Sequence, residues 1–106
     1  MAQMKTYWKR KALAKYKSIT LWYKKKMGLS AANKFVQGIN DVVVLLEQNP
    51  HWGKEEPELK AYKRNYRSFV EHRNHKIIYY IKKDTINIAD IWPNSQNPKD
   101  IDKRLK

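Results

Sequence analysis

Three short runs rich in β-branched and aromatic side chains, Tyr66–Val70, Lys76–Ile81 and Thr85–Trp92, constrain the fold of this chain more than any other feature. Only Lys82-Lys83-Asp84 separates the last two. So short a link between apolar runs predicts a tight antiparallel hairpin. A small sheet of this kind must bury at least one face, and the rest of the chain has to cover it.

Two helical patterns precede the strands. Leu13, Tyr16, Thr20, Tyr23 and Met27 recur at intervals of three and four, which places them on one helix face. Lysines fill most of the other faces. Gly28 can adopt the left-handed conformation that ends a helix. Ser30 then reads as the N-cap of a second helix carrying Ala32, Phe35, Ile39, Val42, Val43 and Leu46, closed by Asn49-Pro50. Val42-Val43-Val44 would suit a strand locally, but the stripe reaching back to Ala32 favours helix.

Helices are therefore expected over 11–27 and 30–48, after a short strand around Met4–Trp8. His51–Tyr62, with Gly53, Pro57 and several charges, reads as an exposed loop. The basic tail Lys99–Lys106 is a short helix or a frayed end. The expected fold is a single α+β domain over residues 1–106, an antiparallel two-helix hairpin packed on one face of a mainly antiparallel sheet.

Composition narrows the chemistry. The 106 residues suffice for one modest core. Cysteine is absent, which excludes disulfides and thiolate zinc sites. No histidine pair at ligand spacing joins a carboxylate cluster, so neither a metal nor a cofactor is expected. No apolar run approaches a membrane span or a signal segment, and a cytoplasmic location away from membranes is the expectation.

The charge of +13, from 23 Lys and Arg against 10 Asp and Glu, calls for a polyanionic partner. DNA, RNA, an anionic membrane surface and an acidic protein segment all satisfy it. Lysines outnumber arginines, which favours steering over base readout. Lys9, Arg10, Lys11, Lys15, Lys17 and Lys24–Lys26 make the first helix strongly basic. That helix offers either a solvated face or a direct contact for nucleic acid or an acidic partner.

Within Lys76–Ile81 both faces are apolar, Ile77, Tyr79 and Ile81 on one and Ile78 and Tyr80 on the other. A sheet covered on one side only should alternate with polar residues. The strand is thus either central in a tightly wrapped domain or lines an aromatic groove for a partner segment.

Other residues, in their order and spacing, resemble landmarks of the RelE/ParE family of bacterial toxins. They are Ala31 and Phe35, Leu46 before Asn49-Pro50 and Gly53, Tyr66-Arg67-Ser68, Ile78-Tyr79 and Ile86-Asn87-Ile88. The resemblance spans nearly the whole chain. It implies a toxin neutralised by a cognate antitoxin through an acidic or amphipathic segment. RelE-like members cleave messenger RNA on the ribosome, whereas ParE-like members poison DNA gyrase. After the last strand many members carry His or Asp, a variable residue and then Arg. Here Pro93 and Ser95 stand in the His/Asp and Arg positions. Proline cannot act as a general acid or base, and serine cannot neutralise phosphorane-like charge as a guanidinium does.

Metal-free RNA cleavage needs a base, an acid and cations around one phosphate. By the resemblance Arg67 is the candidate cation, although it could equally pair with Glu71 or solvate the sheet edge. His72 and His75 titrate near neutral pH and flank Arg73-Asn74 in an expected turn, where a histidine is either catalytic or merely solvated. Arg64, Arg73, Lys76, Tyr80, Trp92 and Gln96 are the expected contacts for target or antitoxin.

The favoured reading is a ParE-like or otherwise divergent type II toxin, with an antitoxin as partner and gyrase, or ribosome and messenger RNA, as target. Its rivals are a ribosome-dependent endoribonuclease and an inactive module that binds only nucleic acid or antitoxin. Whether the chain is an enzyme stays open at this point.

Overall fold

The computed structural model of the chain describes residues 4–56, 65–71 and 75–93. The elements in chain order are β1 (Lys5–Trp8), α1 (Arg10–Met27), α2 (Leu29–Gln48), β2 (Lys54–Glu55), β3 (Arg67–Glu71), β4 (His75–Lys82) and β5 (Thr85–Pro93). The sheet runs β1-β5-β4-β3-β2. All neighbours are antiparallel except β1, which lies parallel to β5 with Lys5 opposite Thr85 and Trp8 opposite Ile88. This is the expected α+β fold with a mixed sheet. The expected tail element lies outside the described residues.

Gly28 both ends α1 and opens α2, with φ at +95°. Such a backbone suits glycine and strains any other residue. Helix α2 therefore starts at Leu29, directly after this hinge, and Ser30 lies inside its first turn instead of capping it. Lys24, Lys25 and Lys26 occupy the last turn of α1, where cations oppose the negative end of the helix dipole.

The α2 stripe is as the spacing predicts, with Ala32, Phe35, Ile39, Val42 and Leu46 buried. The α1 stripe is rotated. Ala12 is fully buried, with Tyr16, Ile19 and Tyr23 beside it, while Leu13 and Met27 are exposed, Met27 to 62%. Aromatic packing sets this rotation. Tyr16 lies 5.1 Å from Trp8 and 5.8 Å from Phe35, and Tyr23 stacks on Phe35 at 5.3 Å. The small Ala12 lets the helix approach closely once the tyrosines face inward.

A bulge between β4 and β5 completes the core. Ile78 pairs with Asp90 and Tyr79 with Ile88, which leaves Ala89 as the extra residue. Two-residue alternation would send Ile91 to the face opposite Ile86 and Ile88. The bulge resets the parity, and all three join Ile77 and Tyr79 beneath the helices. Burying one such side chain stabilises by about 1.5–3 kcal/mol. The other face is also closed, with Tyr66, Ile78, Tyr80, Ala89 and Trp92 forming a second buried cluster. Of the two readings of the strand, this is the tightly wrapped one.

The hairpin turn is tight, since Lys82 pairs with Thr85 across Lys83-Asp84. Lys83 takes a positive φ of 56°. The loop expected at His51–Tyr62 contains a two-residue strand, Lys54–Glu55, which pairs with Ser68 and Arg67.

Candidate functional site

Arg67 opens β3 between Glu55 on one side and Tyr79 on the other. Its Nη1 donates to the Gly53 carbonyl at 2.8 Å and the His51 carbonyl at 3.3 Å, and its Nη2 lies 3.5 Å from Glu55 Oε1. Its acidic neighbour is thus Glu55. Tyr79 completes the clamp, because its hydroxyl donates to the Pro50 carbonyl and accepts from the Gly53 N–H, both at 2.8 Å. Burial raises the Tyr79 phenol above its ordinary pKa, while the Gly53 bond and the Arg67 charge oppose that rise. The neutral hydroxyl can therefore donate and accept at once. The turn after α2 is pinned from beneath, with Trp52 standing 60% exposed on its outside.

His75 lies at the opposite end of β4. It is the first residue of the strand, and only 7% exposed. Its ring lies 5.0 Å from Phe35 and 6.0 Å from Tyr23. Burial, and secondarily the Lys15 charge, lower its pKa, so the imidazole is neutral at neutral pH. His75 and Tyr79 share a face four residues apart, which sets Arg67 and His75 roughly 13 Å from each other along the strand. The structure does not bring these two together. His75, Lys15, Ile19, Trp22, Tyr23, Met27 and Pro93 instead line an open groove of about 480 Å³ beside α1.

Lys76, Tyr80 and Trp92 belong to the other face of the sheet. Lys76 Nζ lies 3.1 Å from Glu56 Oε1, the same oxygen that accepts a hydrogen bond from the Ser68 hydroxyl. Tyr80 is 5% exposed, edge-on to Tyr66, with Lys9 Nζ 5.7 Å from its ring centre. Trp92 is 1% exposed. An aromatic groove open to a partner on this face is corrected accordingly, because both rings are packed away. His72, Arg64, Arg73 and Gln96 lie outside the described residues, as does Ser95; Pro93 ends β5 opposite His75. Among the described residues no cluster of side chains could hold a metal ion, and no helix is long and apolar enough to cross a membrane.

Sequence reasoning missed Glu56, Ser68 and Tyr79 as structural partners, and the groove on α1. It placed His75 in or beside a turn; the residue opens β4, and the alternation His75, Ile77, Tyr79 aligns it with the core.

A buried neutral histidine makes stability depend on pH. The unfolded chain takes up a proton below about pH 6.5, before the folded chain does. The contribution is thus whole above that value and is lost as pH falls toward the lower folded pKa. Among the described side chains, Lys15 and Tyr23 of α1 are the titratable groups near the ring, and Phe35 of α2 carries no charge. In His75→Phe the decline in melting temperature between about pH 7 and pH 5 should be shallower than in the parent. A difference between the two proteins that stays constant with pH would remove His75 from this account.

Comparison with known proteins decides the family. Residues 7–98 match the family described as ParE toxin of type II toxin-antitoxin system, parDE. The chain belongs to this family. The ParE-family match takes in every element from Tyr7 of β1 to the end of β5, and identifies the chain as the toxin component of a type II toxin–antitoxin module. A solved structure of the chromosomal ParDE TA system from P. aeruginosa is similar to this ParE-family chain, with a TM-score of 0.69 and 27% sequence identity. The similarity covers 86% of this chain and 96% of that one. Comparison with curated protein sequences gave no match.

Proposed function

We propose that this ParE-family toxin is held by an antitoxin bearing an acidic or amphipathic segment, and that on release it inhibits DNA gyrase instead of cutting messenger RNA. The separation of Arg67 from His75 carries this reading. A metal-free ribonuclease needs its acid, base and cation within reach of one phosphate. Here the candidate cation holds two backbone carbonyls and lies beside Glu55, while His75, the candidate titrating group among the described residues, sits neutral beneath the helices at the far end of β4. Pro93, opposite His75, adds no proton donor or acceptor. For the antitoxin, the groove between α1 and the His75–Pro93 edge supplies apolar walls and Lys15 at its margin. Acidic amphipathic helices suit such a surface, with apolar side chains in the groove and carboxylates on the lysines.

The test pairs two assays on the purified toxin, gyrase supercoiling and primer extension on translated messenger RNA. Supercoiling should fall and recover when antitoxin is added, with no codon-positioned cuts in the message. Losing one positioned transition-state donor costs on the order of 10²–10³-fold. Cuts at parental levels that vanish in a still-folded Arg67→Ala variant would install the ribonuclease reading instead.

A further inference from the structure

The outer face of α1 carries more positive charge than its place in the fold requires. The helix contains Arg10, Lys11, Lys15, Lys17, Lys24, Lys25 and Lys26 and no acidic residue. Arg10, Lys17 and Lys24 recur every seven positions, so they form a nearly straight row with steps of about 10.5 Å. Lys25 lies on the other flank, with Leu21 and Ala14 between, and all of these are exposed. The core face of α1, with Ala12, Tyr16, Ile19 and Tyr23, points the opposite way. The side chains of Arg10, Lys17, Lys24 and Lys25 form no ion pair with a described residue. Within the described fold no carboxylate offsets the repulsion along this row, and only the helix dipole favours its Lys24 end.

We propose that the outer face of α1 binds the phosphate backbone of double-stranded DNA, directly and without sequence preference. This goes beyond action on gyrase and does not depend on it. Charge complementarity names a polyanion, and the shape of the face selects among polyanions. An amphipathic acidic peptide would seek the apolar groove, which opens on the flank at Trp22 and Met27, away from the row. A membrane-lying helix needs a continuous apolar ridge, and this face offers only two separated leucines, Leu21 and Leu13, on either side of the row. Duplex DNA presents a charge every ~1.7 Å and a major groove ~12 Å wide that admits a helix. Arg10, Lys17 and Lys24 on one flank and Lys25 on the other, around a narrow strip of Ala14 and Leu21, fit that geometry. The deep, narrow major groove of duplex RNA does not admit them. Lysines dominate the face, so binding follows the backbone and not the base edges.

Fluorescence anisotropy with a labelled DNA duplex of two helical turns, titrated across salt concentrations, tests the proposal. The decisive comparison is between two triple variants of equal charge change. Arg10→Glu/Lys17→Glu/Lys24→Glu alters the row, and Lys34→Glu/Lys54→Glu/Lys82→Glu alters exposed lysines elsewhere. Circular dichroism and melting temperature establish that both fold. The parent should bind with a log–log salt slope of about −3 to −4, as expected for some four phosphate contacts. The row variant should lose on the order of 10–100-fold in affinity, and the control several-fold at most. Equal losses would mean that net charge alone attracts DNA, and would overturn the proposal. So would tighter binding to an RNA duplex than to DNA, or a row variant that keeps its DNA affinity while losing an acidic helical peptide.

Discussion

Gly53→Ala is expected to lower the melting temperature by about 10–20 °C, which corresponds to a loss of roughly 2–4 kcal/mol. A Cβ at position 53 would meet the Tyr79 hydroxyl oxygen at 2.2 Å and two of its ring carbons at 2.6 and 2.7 Å. No rotamer change relieves this cheaply. The Tyr79 ring is fully buried, and its hydroxyl is tied to Pro50 and to Gly53 itself. If the ring moves, a buried N–H and a carbonyl lose their partner, at about 1–3 kcal/mol for each group left unsatisfied. Tyr79→Phe separates the two effects, since it removes the hydrogen bonds without adding bulk and should cost less. A Gly53→Ala protein that melts within a degree or two of the parent would show that the turn is not clamped as described.

The second large effect concerns Glu56. Its carboxylate is buried, accepts from Ser68 and faces the Lys76 ammonium. Glu56→Ala should cost about 2 kcal/mol, because it strands a cation whose side chain is only 24% exposed. That figure lies below the cost of breaking a fully buried pair, since water still screens Lys76 in part. Adding Lys76→Met should recover most of the loss, as an apolar chain of similar reach removes the unpaired charge. Denaturant titration of the two single variants and the double variant measures the coupling. Additive losses would mean that the pair contributes nothing specific. The pairing also explains why Lys76 is poorly placed to meet a target, since its charge is already answered within the sheet.

How much of this was legible beforehand depended on whether local pattern or long-range pairing decided the outcome. The apolar period of α2 and the alternation of β4 and β5 fixed those elements, because each buries a face that its own residues define. The rotation of α1 depended on which aromatic rings meet Phe35, and no spacing within α1 reports that. Strand β2 is two charged residues, too short to show any period, and exists because Arg67 and Ser68 offer it a ladder. Arg67 was picked out by its Tyr-Arg-Ser setting. Its main partners, however, are backbone carbonyls, which carry no signature in the side-chain sequence. The separation of Arg67 from His75 became visible only once the register of β4 against β3 was known.

The parallel pairing of β1 with β5 joins positions about eighty residues apart. Non-local contacts of this kind form late, since the intervening chain must be ordered before they repay its entropy. During synthesis β1 precedes its only strand partner among the described residues, Thr85–Pro93, by roughly eighty residues, while α1 and α2 can pair in the meantime. A partly synthesised chain thus holds helices without a closed sheet. The groove walled by His75 and Pro93 is therefore completed only when β5 pairs, after both helices are in place.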